Sequence, residues 1–213
     1  MGGSAASVTT TRWPAAATAT RPTTTRRHHG GRGRAVGSSR CTCTRYSDPG
    51  VDDGLVRIET ASPHDPDVAV LLDEHLAQMR ATSPPGSVHA LPHDALARDD
   101  VALVAARRAG TDHDGDRLLG IGALKRHAGG LGELKAMRTT EDARGAGVGA
   151  AVLDHLVQDA RAQGLTRVSL ETGTQPAFEP ARRLYARRGF VECGPFASYA
   201  LDPHSVFMTL SLN

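Results

Sequence analysis

The sequence predicts an α+β fold, a mixed and mostly antiparallel sheet of about seven strands flanked by helices. Two observations predict it. Strand and helix patterns follow one another as β, α, β, β, β, α, β, α, β, β, with three strands in succession before the long central helix. Too few βα units then follow that helix to build a doubly wound parallel sheet.

Residues 1–53 stand outside this pattern. They contain no Leu, Ile or Phe and are mostly Thr, Ala, Arg, Gly and Ser. Such a segment buries too little apolar surface to offset its ordering entropy, so a disordered basic extension is expected, with the folded domain over residues 54–213. Of 25 basic and 23 acidic side chains, eight arginines but only Asp48, Asp52 and Asp53 lie in the extension. The remainder carries a slight acidic excess and no nucleic-acid footprint. The extension reads three ways: a dispensable, non-native stretch from an upstream start, a transit peptide without amphipathic Leu spacing, or a basic arm offering Arg26-Arg27 and Gly31-Arg32-Gly33-Arg34 to RNA or anionic lipid. No apolar signal-peptide core is present, and no run approaches the ~20 apolar residues of a membrane span. Cys41, Cys43 and Cys193 make no disulfide framework, and Cys41-Thr42-Cys43 lacks the usual metal-ligand spacing. No metal is expected, and a reducing, cytoplasmic setting is.

Leu55 to Thr60 alternates apolar and polar residues as a first strand. Asp65-Pro66 reads as a helix cap followed by proline at the first helical position. Val68, Leu71, Leu72, Leu76 and Met79 line one face of that helix. Ser83-Pro84-Pro85-Gly86 ends it and opens a loop to about Pro92. Val101–Arg107 and Leu118–Lys125 are strands joined by Gly110 to Asp116. Acids alternate in that joint, but it lacks the bidentate Glu of a calcium loop, so it is read as a solvated hairpin turn. Ala128-Gly129-Gly130 turns the chain into the central strand. Val168 and Leu170 belong to a fifth strand, Glu179–Arg188 is a helix, and Phe190–Cys193 and Val206–Leu212 are the last strands.

The segment Gly132 to Gln163 carries the chemistry. Leu134–Thr139 is a strand, Thr140–Gly147 a loop, and Val148–Gln163 an amphipathic helix with Val148, Val152, Leu153, Leu156, Val157 and Ala160 on one face. A helix start has backbone N–H groups without intrahelical partners, and its dipole favours negative charge. Gly145, Gly147 and Gly149 let a phosphate approach that backbone, and Arg144 adds a cation. The pattern Arg144-x-x-Gly147-x-Gly149 resembles the acyl-coenzyme A pyrophosphate loop of the GNAT (Gcn5-related) N-acetyltransferases. Ala181-x-x-Leu184-Tyr185-x-x-x-Gly189-Phe190 is similar to that family's second conserved helix and the strand after it. Ser83-Pro84-Pro85 and Glu192-Cys193-Gly194-Pro195-Phe196 resemble a bacterial subgroup of its acetyltransferases. The resemblance covers about Leu55 to Leu212.

It implies transfer of an acetyl group from acetyl-CoA to an amine, by direct attack in a ternary complex. The cofactor loop would comprise Arg144, Gly145, Ala146, Gly147, Val148, Gly149 and Ala150. Backbone N–H groups near the thioester would come from Met137 and Arg138, where the family's central strand bulges and parts from the next. A carboxylate must take the ammonium proton; Glu133 is the first candidate and Glu171 the second. Tyr185 matches the family's proton donor to the leaving thiolate. Ser87 and His89 would roof the acceptor site. Phe178 stands where many members carry asparagine, and either walls the acceptor pocket or marks a different hold on the cofactor. Expected partners are a coenzyme A thioester and a small-molecule amine, with neither membrane nor nucleic acid; a homodimer is compatible with the sequence.

Two other readings stay open. Gly145-x-Gly147-x-x-Ala150 with Glu171 downstream also fits a dinucleotide fingerprint, hence an NAD- or S-adenosylmethionine-dependent enzyme. Against it, Thr140 to Arg144 separates the glycines from their strand. A non-catalytic acyl-CoA-binding module would share the fold.

Overall fold

The computed structural model describes residues 56–110 and 116–212. The arginine-rich extension with Cys41 and Cys43, Leu55, and the turn at 111–115 lie outside these residues.

The first strand, β1, is Val56–Thr60, and the helix α1 runs Pro66–Thr82. Asp65 holds the cap position with Pro66 at N1, but its carboxylate turns away from the helix and accepts from the Ser62 N–H at 2.8 Å. A 3₁₀ turn at Pro85–Ser87 and a short helix, α2, at His93–Leu96 follow. The sequence pattern gave no sign of α2; buried Leu96 anchors it under the sheet. Strands β2 (Val101–Arg108), β3 (Arg117–His127) and β4 (Leu131–Thr139) then form a meander. Helix α3 (Val148–Ala162) leads to β5 (Arg167–Gly173), and α4 (Glu179–Arg187) leads to β6 (Val191–Cys193) and β7 (Ser205–Ser211).

These strands form one sheet in the order β1-β2-β3-β4-β5-β7-β6. Every neighbouring pair is antiparallel except β4 and β5. The α+β class expected from the sequence is the one observed, and the element order matches apart from the added α2.

A hydrophobic layer lies on each face. All six apolar positions of the α3 stripe are buried, packed with Leu134, Val168, Leu170 and Phe190. On the other face Val68, Leu71 and Leu72 of α1 pack with Leu96, Leu103 and Ile121. Burying one such Leu or Val side chain contributes about 1.5–3 kcal/mol, so the two layers rather than local propensity hold the helices.

One feature of the sheet creates the site. β4 and β5 pair only from Leu131–Arg167 to Glu133–Ser169, after which they separate. On the other side of β4 the register slips: Ile121 faces Arg138 and Ala123 faces Lys135, leaving Ala136 and Met137 opposite Gly122. This is a β-bulge, which bends the bulged strand. Ala136 takes a left-handed conformation there, with φ 50°. For a residue with a Cβ that costs roughly 1–3 kcal/mol and recurs at functional sites. Gly122 makes the bulge packable, because a Cβ on it would lie 2.6 Å from both Met137 Sδ and Val152 Cγ1.

Candidate active site

A cavity of about 790 Å³ fills the gap between the parted strands. One wall is β4 from Leu134 to Thr139, and the other is the end of β5 with Phe178, Ala181, Leu184 and Tyr185. The α3 end is closed by Arg144, Gly145, Gly147, Val148, Gly149 and Ala150, and the α1 side by His75, Gln78, Ser87 and His89.

The glycine loop builds an anion cradle. Glu141–Ala143 forms a 3₁₀ turn, and buried Ala143 ties it to the core. Gly145 and Gly147 then adopt φ 80° and 78°, left-handed values that other residues rarely take. Gly147 is the N-cap of α3 and offers no side chain to the helix. The first intrahelical bond is from the Ala151 N–H to the Gly147 carbonyl at 3.0 Å, so the N–H groups of Val148, Gly149 and Ala150, all residues of the cleft wall, have no helical partners. These residues suit a diphosphate. Ala146 stands apart: it does not line the cleft, and its N–H goes to the Ala143 carbonyl at 3.4 Å. Arg144 is half-exposed and loosely paired with Glu141 at 3.4 Å.

The two glutamates named from the sequence are placed differently. Glu171 lines the cleft and accepts a hydrogen bond from the Ser205 hydroxyl at 2.6 Å. Burial pushes its pKa up, and the Ser205 bond offsets this only in part. Glu133 is 2% exposed and absent from the cleft wall. It accepts from Tyr199 Oη at 2.7 Å, pairs with Lys135 Nζ at 2.9 Å and meets His127 Nε2 at 2.7 Å. Burial alone would raise its pKa, but the Lys135 charge and these three hydrogen bonds outweigh that and hold it below the usual carboxylate range. The first-ranked base is thus a salt-bridged carboxylate outside the cleft wall, with three polar partners already around it.

Tyr185 does line the cleft, at 7% exposure, and its ring packs against Phe190 at 5.8 Å. Burial, then the nearby Glu171 charge, push its phenol well above the ordinary value. Met137 and Arg138 lie at the bulge as expected. The side chains diverge: Met137 enters the α3 layer, whereas Arg138 reaches α1, donating to Gln78 Oε1 at 2.5 Å and to Glu74 at 3.3 Å. Ser87, His89 and Phe178 are all on the wall.

Two wall residues, Lys135 and His75, and one residue behind the wall, Tyr199, escaped the sequence reading. Lys135 bonds Glu133, Tyr199 and the His89 carbonyl. Tyr199 lies in the β6–β7 loop, among His89, Phe196 and Phe207, with ring centroids 5.0–5.4 Å away. Burial, then the Glu133 charge, raise its pKa, so it stays a neutral donor. His75 is driven down to about 4, first by burial and then by Arg138 and Lys135, and is neutral at physiological pH. A signal for Tyr199 was available: every Phe, and every Tyr except Tyr46, lies between Phe178 and Phe207. Nothing in the local pattern singles out His75. Among the described residues no group of His, Cys, Asp and Glu is arranged to hold a metal, and no helix is long and apolar enough to cross a membrane.

Comparison with known proteins agrees with this geometry. The model of the acetyltransferase (GNAT) family matches residues 69–190. The Bacillus subtilis N-acetyltransferase YsnE, itself uncharacterized, is 44% identical over 145 residues, covering 68% of this chain and 92% of YsnE. The Escherichia coli N-acetyltransferase YedL, likewise uncharacterized, is 41% identical over 158 residues, covering 74% of this chain and 96% of YedL. A Klebsiella pneumoniae structure assigned as an acyl-CoA N-acyltransferase superposes with a TM-score of 0.59 at 28% identity, covering 75% of this chain and 99% of that one. The chain therefore belongs to the GNAT family of acetyltransferases and is an N-acetyltransferase.

Proposed function

We propose that the chain moves an acetyl group from acetyl-CoA to the amine of a small molecule, by direct attack in a ternary complex. The observation that carries this is the parting of β4 from β5 beside the α3 N-terminus. It leaves β4 backbone unpaired within reach of the cradle, so an extended amide arm can pair there as a strand would while its diphosphate rests on the helix start.

Glu171 takes the proton from the acceptor ammonium, directly or through water. Its raised pKa brings it closer to the operating pH, where a general base works best. The freed nitrogen pair then attacks the thioester carbon; the C–N bond forms, the C–S bond breaks, and the nitrogen's second proton passes through water to the departing thiolate, leaving a neutral amide and a thiol. Backbone N–H groups of the bulge stabilise the oxyanion, each worth about 2.7–4 kcal/mol where well aimed. Tyr185 hydrogen-bonds the departing sulfur. Full proton transfer from so weak an acid to a thiolate is uphill, so the thiolate leaves hydrogen-bonded and is protonated on release. Glu133 serves this scheme by fixing Lys135 and Tyr199 under the acceptor. A cytoplasmic setting, where acetyl-CoA is available, goes with this reading.

Calorimetry against acetyl-CoA, NAD and S-adenosylmethionine tests the cofactor. Binding of the first alone is expected, and Gly147→Glu should abolish it by setting a carboxylate against the phosphates. Tight NAD binding, or normal acetyl-CoA binding by the glutamate variant, would sink the assignment. Release of free thiol with amine acceptors separates an enzyme from a non-catalytic acyl-CoA-binding module.

A further inference from the structure

Resting on the acyl-transfer reading above, we infer that the acceptor is an amine that also carries a carboxylate, an α-amino acid or close analogue, with Arg138 holding the carboxylate and Glu171 facing the amine.

The charges around the acceptor side of the cleft lead there. Arg138 is on the β4 wall with a side chain only 11% exposed. Its Nε is buried and has no hydrogen-bond partner among the described residues. One of its terminal nitrogens is oriented by Gln78, and the other meets Glu74 at 3.3 Å, a carboxylate 53% exposed to water. A guanidinium whose Nε lacks a partner, and whose long Nη contact is to a water-exposed carboxylate, is suited to exchange that contact for a substrate carboxylate.

The neighbouring charges do not fill that role. Lys135 is spent on Glu133, Tyr199 and the His89 carbonyl. His75, across from Arg138 on α1, is neutral. Asp202 accepts from Ser87 at the exposed rim. Glu171 lies on the opposite, β5 wall. The cleft thus presents a positive group on one arm and a carboxylate on the other. A simple ammonium would be repelled by Arg138, whereas an amino acid zwitterion meets opposite charge at both ends. Coenzyme phosphates do not compete for Arg138, because its partners Gln78 and Glu74 are on α1, across the sheet from α3.

The test uses matched acceptors: each standard L-amino acid beside its carboxamide and its decarboxylated amine, with acetyl-CoA and a readout of free thiol. The free acid of the preferred side chain should exceed its two partners in kcat/KM by at least about tenfold, through KM. Arg138→Gln should bring that ratio close to one. Glu74→Gln removes the competing carboxylate and should lower KM for the acid form, an effect opposite in sign that a misfolded variant cannot mimic. Equal use of acid and carboxamide, a preference that survives Arg138→Gln, or turnover of none of the acids by protein that binds acetyl-CoA would each overturn the inference. Failure to bind acetyl-CoA at all would instead remove the acyl-transfer reading beneath it.

Discussion

Glu133 and Glu171 are a natural pair to compare. They sit on adjoining strands: Ser169, the partner of Glu133 across the ladder, is one side-chain repeat before Glu171. Burial penalises both carboxylates, and it is the largest influence on each. Yet one is held below its ordinary pKa and the other pushed above it. The difference lies in company. Where the strands are still joined, Glu133 meets a cation, a phenol and an imidazole. Where they have parted, Glu171 has Ser205 and the cleft. Burial alone therefore does not raise a carboxylate's pKa; burial without a directly paired cation does.

The largest expected break in this comparison is Glu171→Gln, which should lower kcat about 10²–10⁴-fold in a thiol-release assay while acetyl-CoA binding persists. Next is Glu133→Gln. Removing one partner of a buried pair leaves Lys135 charged and uncompensated, which costs about 3–5 kcal/mol, read from denaturant melts. Its effect on kcat should be smaller than that of Glu171→Gln, and the reverse ranking would return Glu133 to the catalytic role. Replacing both partners, Glu133→Leu with Lys135→Met, should recover much of that loss. Tyr199→Phe, which deletes one donor to a buried carboxylate, should cost about 1.5–3 kcal/mol.

Thermal melts against pH sharpen the contrast by sign. Glu133 has a lowered pKa, so its stabilisation is present above the ordinary carboxylate pKa and lost as pH falls through the lowered one. Glu171 has a raised pKa, so its contribution is complete below the ordinary value and lost as pH rises through the raised one. At neutral pH, Glu171→Gln should raise Tm and Glu133→Gln should lower it. A fall in both would mean that Glu171 has a buried cationic partner.

What could be read from the sequence follows the range of the forces. The α3 stripe and the glycine turn were legible because helical period and left-handed backbone are local properties, and all six apolar positions of the stripe are buried. The bulge was not legible from its residue type, because its left-handed position is filled by Ala136 and not by glycine or asparagine. The family resemblance supplied it instead. The fate of Glu133 was also hidden. It is decided by Tyr199, brought in by a loop 66 positions away, and by His127 across a turn. Arg138 was named for its backbone, since only the placement of α1 reveals that its side chain ends beside Gln78.

Ending the β4–β5 ladder after Glu133 has a cost outside catalysis. A strand rim with free amides is normally found at the outside of a sheet, where charge or a short length keeps other chains from docking on it. Here it lies indoors, and on the proposed mechanism the coenzyme arm that covers it leaves after each turnover. Depleted of coenzyme, the protein should be the form that self-associates on storage, and added coenzyme A should act as its preservative.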